Sequence, residues 1–357
     1  MSTVEQGSRL DLWLRAIASS DASDLHVGAG RPPMMRISGE LKSIEEALIP
    51  RAKSKHSGAR TTPEPRPGGP EEPAPADSAV AHDGAPSRSS VSRQKGPSAL
   101  VARRIPQNKL SFDEIGAPPV LRALAHLPRG LILVTGPTGS GKTTTLASLV
   151  HEVNISRSCH IVTLEDPIEF YHDSHKAVVT QREIGEDVSS FSEALRRVLR
   201  QDPDVILVGE MRDLETTGAA ITAAETGHLV MGTMHTTGAA RTMDRVIDQY
   251  PREQQEQVRS QLAVSLQAVV SQVLIPRADG NGRVAAFEIM IRNSAIENHI
   301  RKGETFKITS VMQTQRRLGM QLLDDHLLEL TQAGTISREN ALTYAQMPAD
   351  LRQRLGG

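Results

Sequence analysis

Short apolar runs punctuate the second half of the chain and predict buried strands. Each run is bounded by turn-forming or charged residues, and the four clearest are residues 131–134, 161–164, 205–208 and 229–231. Uninterrupted apolar runs of this length are typical of strands that are covered on both faces of a sheet. The pattern therefore predicts a sheet with packed layers on both sides.

Helical periodicity fills the intervals between these runs. Ser190 and Glu193 form a capping-box pattern, and Gly227 ends a second helix predicted over residues 213–226. A longer amphipathic helix is predicted over residues 251–273, and residues 292–357 are expected to be mostly helical. Strands that alternate with helices indicate an α/β fold with a parallel sheet.

The first hundred residues have a different pattern. Residues 1–50 predict a small α+β piece, with one helical face at Leu10, Leu14 and Ile17 and strands at 24–27 and 34–37. Residues 51–98 contain 8 Pro, 5 Gly and 8 Ser among 48 positions, too few apolar groups to offset ordering entropy. We predict a disordered linker there, and a docking segment for a Pro-binding module is the alternative.

Composition narrows the function classes. The 357 residues include 41 Lys and Arg against 42 Asp and Glu, so no global charge favours nucleic acid, and 3% aromatic residues argue against a base-stacking surface. The single cysteine, Cys159, excludes an internal disulfide and a multi-cysteine zinc site. The sequence contains neither a long apolar span nor a secretory signal pattern, which predicts a cytoplasmic protein.

A phosphate-binding loop follows the first apolar run. The pattern G-x-x-x-x-G-K-[ST] is matched by consecutive residues, which Thr144 follows: Gly136, Pro137, Thr138, Gly139, Ser140, Gly141, Lys142 and Thr143. Backbone N–H groups of such a loop surround phosphate oxygens. We therefore predict an ATP site in which Lys142 contacts the β- and γ-phosphates and Thr143 is a Mg²⁺ ligand.

Acidic side chains follow two other predicted strands. Glu210 follows residues 205–208 after a single glycine, where a carboxylate reaches the ligand edge of a parallel sheet and orients the attacking water. Glu165, Asp166 and Glu169 follow residues 161–164 and either orient Mg²⁺ or water, or form a charged turn.

Two histidines bracket the last of the four runs. His228 and His235 have the hydrogen-bonding chemistry to sense a γ-phosphate. Two histidines without a nearby cysteine do not complete a zinc site, so we predict no metal there.

These motifs, in this order, resemble those of the secretion-superfamily ATPases of type II secretion and type IV pili. The matching segments are 136–143, 162–170, 199–213 and 227–236, corresponding to the family's phosphate loop, Asp box, acidic strand motif and His box. Residues 23–26 and 32–41 are similar to the start of the N-terminal domain of the PilT-type retraction motors within that family.

The resemblance implies an architecture. It indicates a RecA-like parallel-sheet P-loop ATPase core over residues 99–291, with a C-terminal helical region over 292–357. Residues 1–50 would be a partial, truncated N-terminal PAS-like α+β domain, separated from the core by the linker at 51–98.

The resemblance also implies an activity and roles for single residues. It indicates a hexameric motor that hydrolyses ATP with Mg²⁺ to retract type IV pili, the activity behind twitching motility. Glu210 would be the catalytic carboxylate, Glu165, Asp166 and Glu169 would form the Asp box, and His228 and His235 would form the His box. Arginines of a neighbouring subunit would reach the phosphates, the candidates being Arg182, Arg197 and Arg200. The implied partners are identical or related motor subunits and a pilus platform protein at the inner face of the cell membrane.

Two alternatives stay open at this point. The Pro-rich segment, together with Glu297 where the family motif has arginine, would suit an accessory nucleotide-binding subunit with little activity of its own. A type II secretion or DNA-uptake motor shares the same core. Assembly-type relatives carry a four-cysteine insertion, which this chain lacks, and that favours the retraction type.

Overall fold

The computed structural model has two compact units. The first is Met1–Asn108 and the second is Lys109–Gly357. The described residues are 12–13, 16–17, 20, 22–28, 30–37, 40–44, 76–82, 85–93, 98–104 and 111–356.

The first unit contains a six-stranded antiparallel sheet. Its strands are β1 Ala22–Gly28, β2 Met34–Ile37, β3 Glu40–Ser43, β4 Ala76–His82, β5 Ala85–Arg93 and β6 Ser98–Arg104. They lie in the order β3-β2-β1-β6-β5-β4. The strands expected at 24–27 and 34–37 are confirmed. Of the expected helical face, Ile17 is buried against the sheet core with Leu25, whereas Leu10 and Leu14 lie outside the described residues.

The linker prediction is wrong for part of its range. Strands β4 and β5 form a hairpin ladder that begins at Ala76 opposite Val91, and β5 pairs with β6. Backbone hydrogen bonds hold such a ladder together whatever the side chains are, so a shortage of large apolar residues does not prevent it. The sheet is therefore larger than the truncated domain that the sequence suggested, and residues 51–75 lie outside the described residues.

The second unit is built on a seven-stranded sheet. Its strands are β7 Gly130–Thr135, β8 His160–Glu165, β9 Val178–Glu183, β10 Val205–Val208, β11 Leu229–Met234, β12 Leu266–Pro276 and β13 Arg283–Ile291. The order is β13-β12-β7-β11-β10-β8-β9, and all neighbours are parallel except β12 and β13. The predicted parallel α/β fold is confirmed.

Helices pack on both faces of this sheet. They are α1 Val120–Ala125, α2 Lys142–Ser156, α3 Phe191–Val198, α4 Leu214–Glu225, α5 Ala239–Asp248, α6 Arg252–Ser265, α7 Ser294–Lys302, α8 Ile308–Thr314, α9 Leu323–Gln332, α10 Arg338–Tyr344 and α11 Pro348–Arg354. Alternate residues of β7 enter opposite cores: Leu131 and Leu133 face one, Ile132 and Val134 the other. This two-sided burial explains the uninterrupted apolar runs.

The long helix expected over residues 251–273 ends early. Helix α6 stops at Ser265, and the chain continues as β12 between β7 and β13. Val269 and Val270 are fully buried in this strand. Adjacent β-branched residues that are both buried suit a strand covered on two faces, and tertiary pairing overrides the helical spacing.

The C-terminal region is mostly helical, as expected, and helices α9, α10 and α11 enclose a small core around Leu327 and Leu351. Within the part of the chain that the structure describes, no helix has the length and apolar character to cross a membrane.

Candidate functional site

The candidate site lies at one edge of the sheet, where four parallel strands end. The register pairs Met234 with Thr135, and Val208 with both Gly232 and Leu164, so the carboxyl ends of β7, β11, β10 and β8 meet there. Ligands of parallel α/β sheets bind at this edge, because the loops that follow the strands converge on it.

The phosphate loop depends on glycines with positive φ. Gly136, Gly139 and Gly141 have φ of 144°, 78° and 88°. A Cβ at Gly136 would lie 2.3 Å from the carbonyl oxygen of Gln272, so that position admits no side chain. The loop leads directly into α2 at Lys142, whose free N–H groups and dipole favour an anion.

Lys142 lies against the loop itself. Its Nζ donates to the carbonyl oxygens of Gly136 at 2.9 Å and Pro137 at 3.0 Å. Burial lowers the pKa of Lys142, while the charge of Glu210 acts to raise that pKa. The lysine and the carboxylate are therefore within electrostatic range of each other.

Thr143 and Ser140 complete the loop in different ways. Thr143 is exposed at the start of α2. The Ser140 hydroxyl is buried and has no hydrogen-bond partner among the residues that the structure describes. A buried hydroxyl beside a phosphate cradle fits a loop that receives an oxygen-rich ligand.

Gln272 supports the loop, and the sequence analysis missed it. Its Nε2 donates to the Ser140 carbonyl at 2.6 Å, and its Oε1 accepts from the Thr145 hydroxyl at 2.8 Å. Gln272 lies on β12, which was predicted as a helix. A polar residue inside a buried apolar segment was the available signal, because buried amides need partners.

Glu210 is held by two cationic or polar neighbours. Its Oε1 lies 2.7 Å from His235 Nε2 and accepts a hydrogen bond from Arg212 Nε. The strand ends that carry these residues are joined, since Met211 N–H donates to the Thr233 carbonyl at 3.0 Å. The structure brings Glu210 and His235 together, and Arg212 joins them.

Glu165 is the buried member of the second acidic group. It accepts hydrogen bonds from Thr163 Oγ1 at 2.6 Å and Gln181 Nε2 at 3.2 Å, and burial raises its pKa. Asp166 and Glu169 are exposed at the same end of β8. Glu165 is the last residue of β8 and the other two acids follow it, and of the three only Glu165 is enclosed by the protein.

His228 does not join this group. It precedes β11, whereas His235 follows it, so the six residues of the strand separate them by about 20 Å. Its Nδ1 lies 2.9 Å from the Ala223 carbonyl, at the end of α4. A strand places its two ends at opposite edges of the sheet, so of the two predicted histidines the structure brings only His235 to the edge of the phosphate loop.

Arg182 lies apart from the other two candidate arginines, which are three residues from each other at the C-terminal end of α3. Arg182 is on the edge strand β9, opposite Leu164 near the carboxyl end. Arg197 forms an ion pair with Glu193, and Arg200 donates to the Arg196 carbonyl at 3.3 Å. Helix α3 runs back from the carboxyl edge, so only Arg182 lies near the edge that carries the phosphate loop.

The donors fit a magnesium ion that is held mainly by phosphate. The described residues contain no cluster of three or more His, Cys, Asp or Glu side chains suited to a metal. Mg²⁺ in nucleotide sites takes few protein ligands and completes its shell with phosphate oxygens and water. The exposed hydroxyl of Thr143, the residue after Lys142, meets that requirement.

A parallel sheet whose first strand leads through a phosphate loop into a helix defines a P-loop nucleotide-binding protein. Residues 97–352 match the family model described as "Type II/IV secretion system protein", and the chain belongs to this family.

Several known proteins are similar over most of their length. The chain is 48% identical over 335 residues to the "Type IV pilus retractation ATPase PilT" of Pseudomonas aeruginosa, covering 93% of this chain and 96% of that protein. It is 53% identical over 252 residues to a "Twitching motility protein" of Neisseria gonorrhoeae, covering 71% of this chain and 67% of that one.

A solved structure is similar over nearly the whole chain. A crystal structure of the pilus retraction motor PilT with bound ADP has a TM-score of 0.90 and 41% identity, covering 96% of this chain and 99% of that one. The resemblance predicted from the motifs is confirmed.

Proposed function

We propose that this protein is a motor ATPase that hydrolyses ATP with Mg²⁺ and uses the energy to retract type IV pili. The observation that carries the proposal is the Glu210–His235 pair, 2.7 Å apart and within electrostatic range of Lys142. The similarity to PilT over 93% of the chain supports the biological setting.

Hydrolysis joins a water oxygen to the γ-phosphorus and breaks the bond to the β,γ-bridging oxygen, releasing ADP, hydrogen phosphate and a proton. Glu210 Oε1 is engaged by His235 and Arg212, while Oε2 has no donor among residues 111–356. We assign Oε2 the role of accepting a hydrogen bond from the attacking water. His235 and Arg212 then fix the direction in which that oxygen points.

The phosphate loop binds the triphosphate. In our proposal the Lys142 ammonium exchanges the carbonyl oxygens of Gly136 and Pro137 for β- and γ-phosphate oxygens. Thr143 would hold a magnesium ion, and a bound magnesium ion would neutralise charge on those oxygens. The remaining binding contacts come from the loop backbone over residues 136–144.

The acids after β8 have separate roles in the proposal. Glu165 is fixed by hydrogen bonds from Thr163 and Gln181 and holds the end of β8 in place beside Gly209. The two segments are close: a Cβ added at Gly209 would lie 3.2 Å from the Glu165 Cα. Asp166 and Glu169 face outward and are free to orient water around the magnesium ion.

The assembly we propose is a hexamer, either of identical subunits or mixed with a related motor. In this proposal Arg182 supplies a positive charge to the site of a neighbouring subunit, and Arg197 and Arg200, which lie away from the phosphate-loop edge, stay predictions for that role. The hexamer acts at the cytoplasmic face of the inner membrane on a pilus platform protein, with residues 99–291 as its ATPase core.

Two substitutions test the site. Lys142→Ala should abolish nucleotide binding, whereas Glu210→Gln should bind ATP normally and lose turnover by at least about a hundredfold, since it keeps the shape but removes the charge. Turnover close to wild type in both variants would reject the assignment.

A mixing experiment distinguishes the proposed motor from the alternative, an accessory subunit with little activity of its own. Wild-type protein that hydrolyses little ATP alone but stimulates a related motor in mixed assemblies would favour the accessory role. Restoration of twitching in a strain without its retraction motor would support the proposal directly.

A further inference from the structure

A cavity of about 430 Å³ lies beside Glu210, and the roles assigned so far do not use it. Its polar lining is Glu210, Arg212, His235, Thr236, Arg245 and Gln249. No residue of the phosphate loop lines it, so Glu210 and His235 belong both to the nucleotide site and to this second space. The volume is enough for a small ion with several waters.

The charges around the cavity favour an anion. Two guanidinium groups, Arg212 and Arg245, face a single carboxylate, Glu210. That carboxylate is already engaged by Arg212 and His235. Arg245 has no carboxylate within ion-pair distance in the range 111–356, so its positive charge is available to a ligand.

Gln249 supplies the second observation. Both polar atoms of its amide, Nε2 and Oε1, are buried without a hydrogen-bond partner among the described residues. Buried amides are rarely left this way in folded proteins. A ligand that satisfies both atoms must offer an acceptor to the NH₂ group and a hydroxyl donor to the oxygen.

We propose that this cavity is a subsite for inorganic phosphate, bound as hydrogen phosphate after hydrolysis. The ion carries negative oxygens for Arg245 and for Gln249 Nε2, and a P–OH group for Gln249 Oε1. This inference rests on the proposed ATP hydrolysis. The product then leaves the phosphate loop past Glu210 and is held next to the residues that oriented the water.

Equilibrium binding of inorganic phosphate to the full chain loaded with ADP and Mg²⁺ tests the subsite. Arg245→Gln should weaken phosphate binding about tenfold or more, because it removes a charge-assisted contact. The matched control is Arg241→Gln, an exposed arginine one turn earlier on α5 that does not line the cavity, and it should leave the affinity unchanged.

Sulfate tests the role of Gln249. Sulfate has no hydroxyl donor at neutral pH, so the wild type should prefer phosphate, and Gln249→Met should bring the two affinities close together. This variant loses no hydrogen bond in the ligand-free protein, so its thermal midpoint should equal or exceed that of the wild type.

Three results would overturn the subsite. One is equal phosphate affinity in Arg245→Gln and Arg241→Gln. Another is phosphate binding that Lys142→Ala abolishes and Arg245→Gln spares, which places the ion in the phosphate loop. The third is an Arg245→Gln variant that alters subunit assembly and leaves phosphate affinity unchanged. In that case Arg245 pairs with an acidic group of a neighbouring subunit and not with phosphate. Wild-type protein that hydrolyses no ATP would instead reject the proposed function.

Discussion

At the scale of single residues, the carboxylate of Glu210 has its two oxygens in different environments. Oε1 is shared by Arg212 and His235, and the side chain is 20% exposed. A carboxylate fixed through one oxygen can present the other to a water in a constant direction, which is the condition for orienting a nucleophile. The neighbours of Glu210 therefore matter for turnover more than for binding ATP.

The two histidines allow a matched test of this idea. His235→Ala should lower kcat about tenfold or more with little change in KM, because it removes a hydrogen bond to the carboxylate. His228→Ala is the control, since that side chain lies at the other edge of the sheet against Ala223. Steady-state ATPase kinetics distinguish the two, and equal losses of kcat would contradict the role given to His235.

Gln272 supports the phosphate loop through hydrogen bonds to Ser140 and Thr145. Gln272→Leu should lower the free energy of unfolding by about 1–3 kcal/mol, because the buried Ser140 carbonyl and Thr145 hydroxyl lose their partner. Nucleotide affinity should fall with it. Gln313→Leu, at an exposed position on α8, is the control for the glutamine-to-leucine change. Denaturation and nucleotide titration measure the two effects, and identical values in both variants would contradict the supporting role.

At the scale of elements, helices and strands could be predicted from the sequence where a local feature, such as a cap or an apolar run, marks them. Ser190 caps α3 by accepting from the Glu193 N–H, and Asp213 caps α4 in the same way with Thr216, so local chemistry places both starts. The four apolar runs became β7, β8, β10 and β11 because burial on two faces is visible in composition. The phosphate loop could be predicted from the spacing of its glycines, lysine and threonine alone.

The errors occur where partners distant in the chain decide the structure. Leu266–Pro276 is a strand because β7 and β13 lie on either side of it, and no local feature announces those neighbours. Strand β5 likewise pairs with β6, and β4 pairs with β5 at the edge of that sheet. Gln272 was missed for the same reason, since its role follows from the strand that carries it.

Glu288, a buried acid on β13, links this strand to the start of α5 and predicts a pH effect. Glu288 accepts from the Ala239 N–H and from Gln346 Nε2, both at 2.7 Å. Burial raises its pKa above the ordinary value of 4.5. Between these two pKa values the folded state binds more protons than the unfolded state, so the stability contributed by Glu288 falls as the pH rises through that window.

Glu288→Gln removes this titration. Relative to the wild type, the variant should therefore gain free energy of unfolding as the pH is raised from about 4.5 through the elevated pKa of Glu288. Denaturant unfolding at a series of pH values measures the difference. Glu256→Gln, at an exposed position on α6, should show no such trend. A difference between Glu288→Gln and wild type that stays constant with pH would contradict the assignment.

At the scale of the whole molecule, the open question is which charges come from a neighbouring subunit. Arg182 lies near the carboxyl end of β9, the last strand of the seven-stranded sheet, and has no ion-pair partner in the range 111–356. An edge strand is where a sheet can meet another subunit. A charge that arrives from a neighbour would couple hydrolysis to the movement of one subunit against the next.

Complementation between inactive subunits tests this arrangement. If Arg182 acts in the site of a neighbour, then Arg182→Ala and Glu210→Gln subunits are each inactive alone. Mixed assemblies should regain about a quarter of wild-type turnover, because a quarter of randomly formed interfaces pair an intact Glu210 with an intact Arg182. Lys142→Ala mixed with Glu210→Gln is the control, since those residues serve one site of one chain and no intact site forms. Turnover of co-expressed mixtures measures the recovery. Failure of the Arg182 mixture to exceed that control would place Arg182 in its own subunit's site or outside catalysis, and would remove the link between hydrolysis and subunit movement proposed for it.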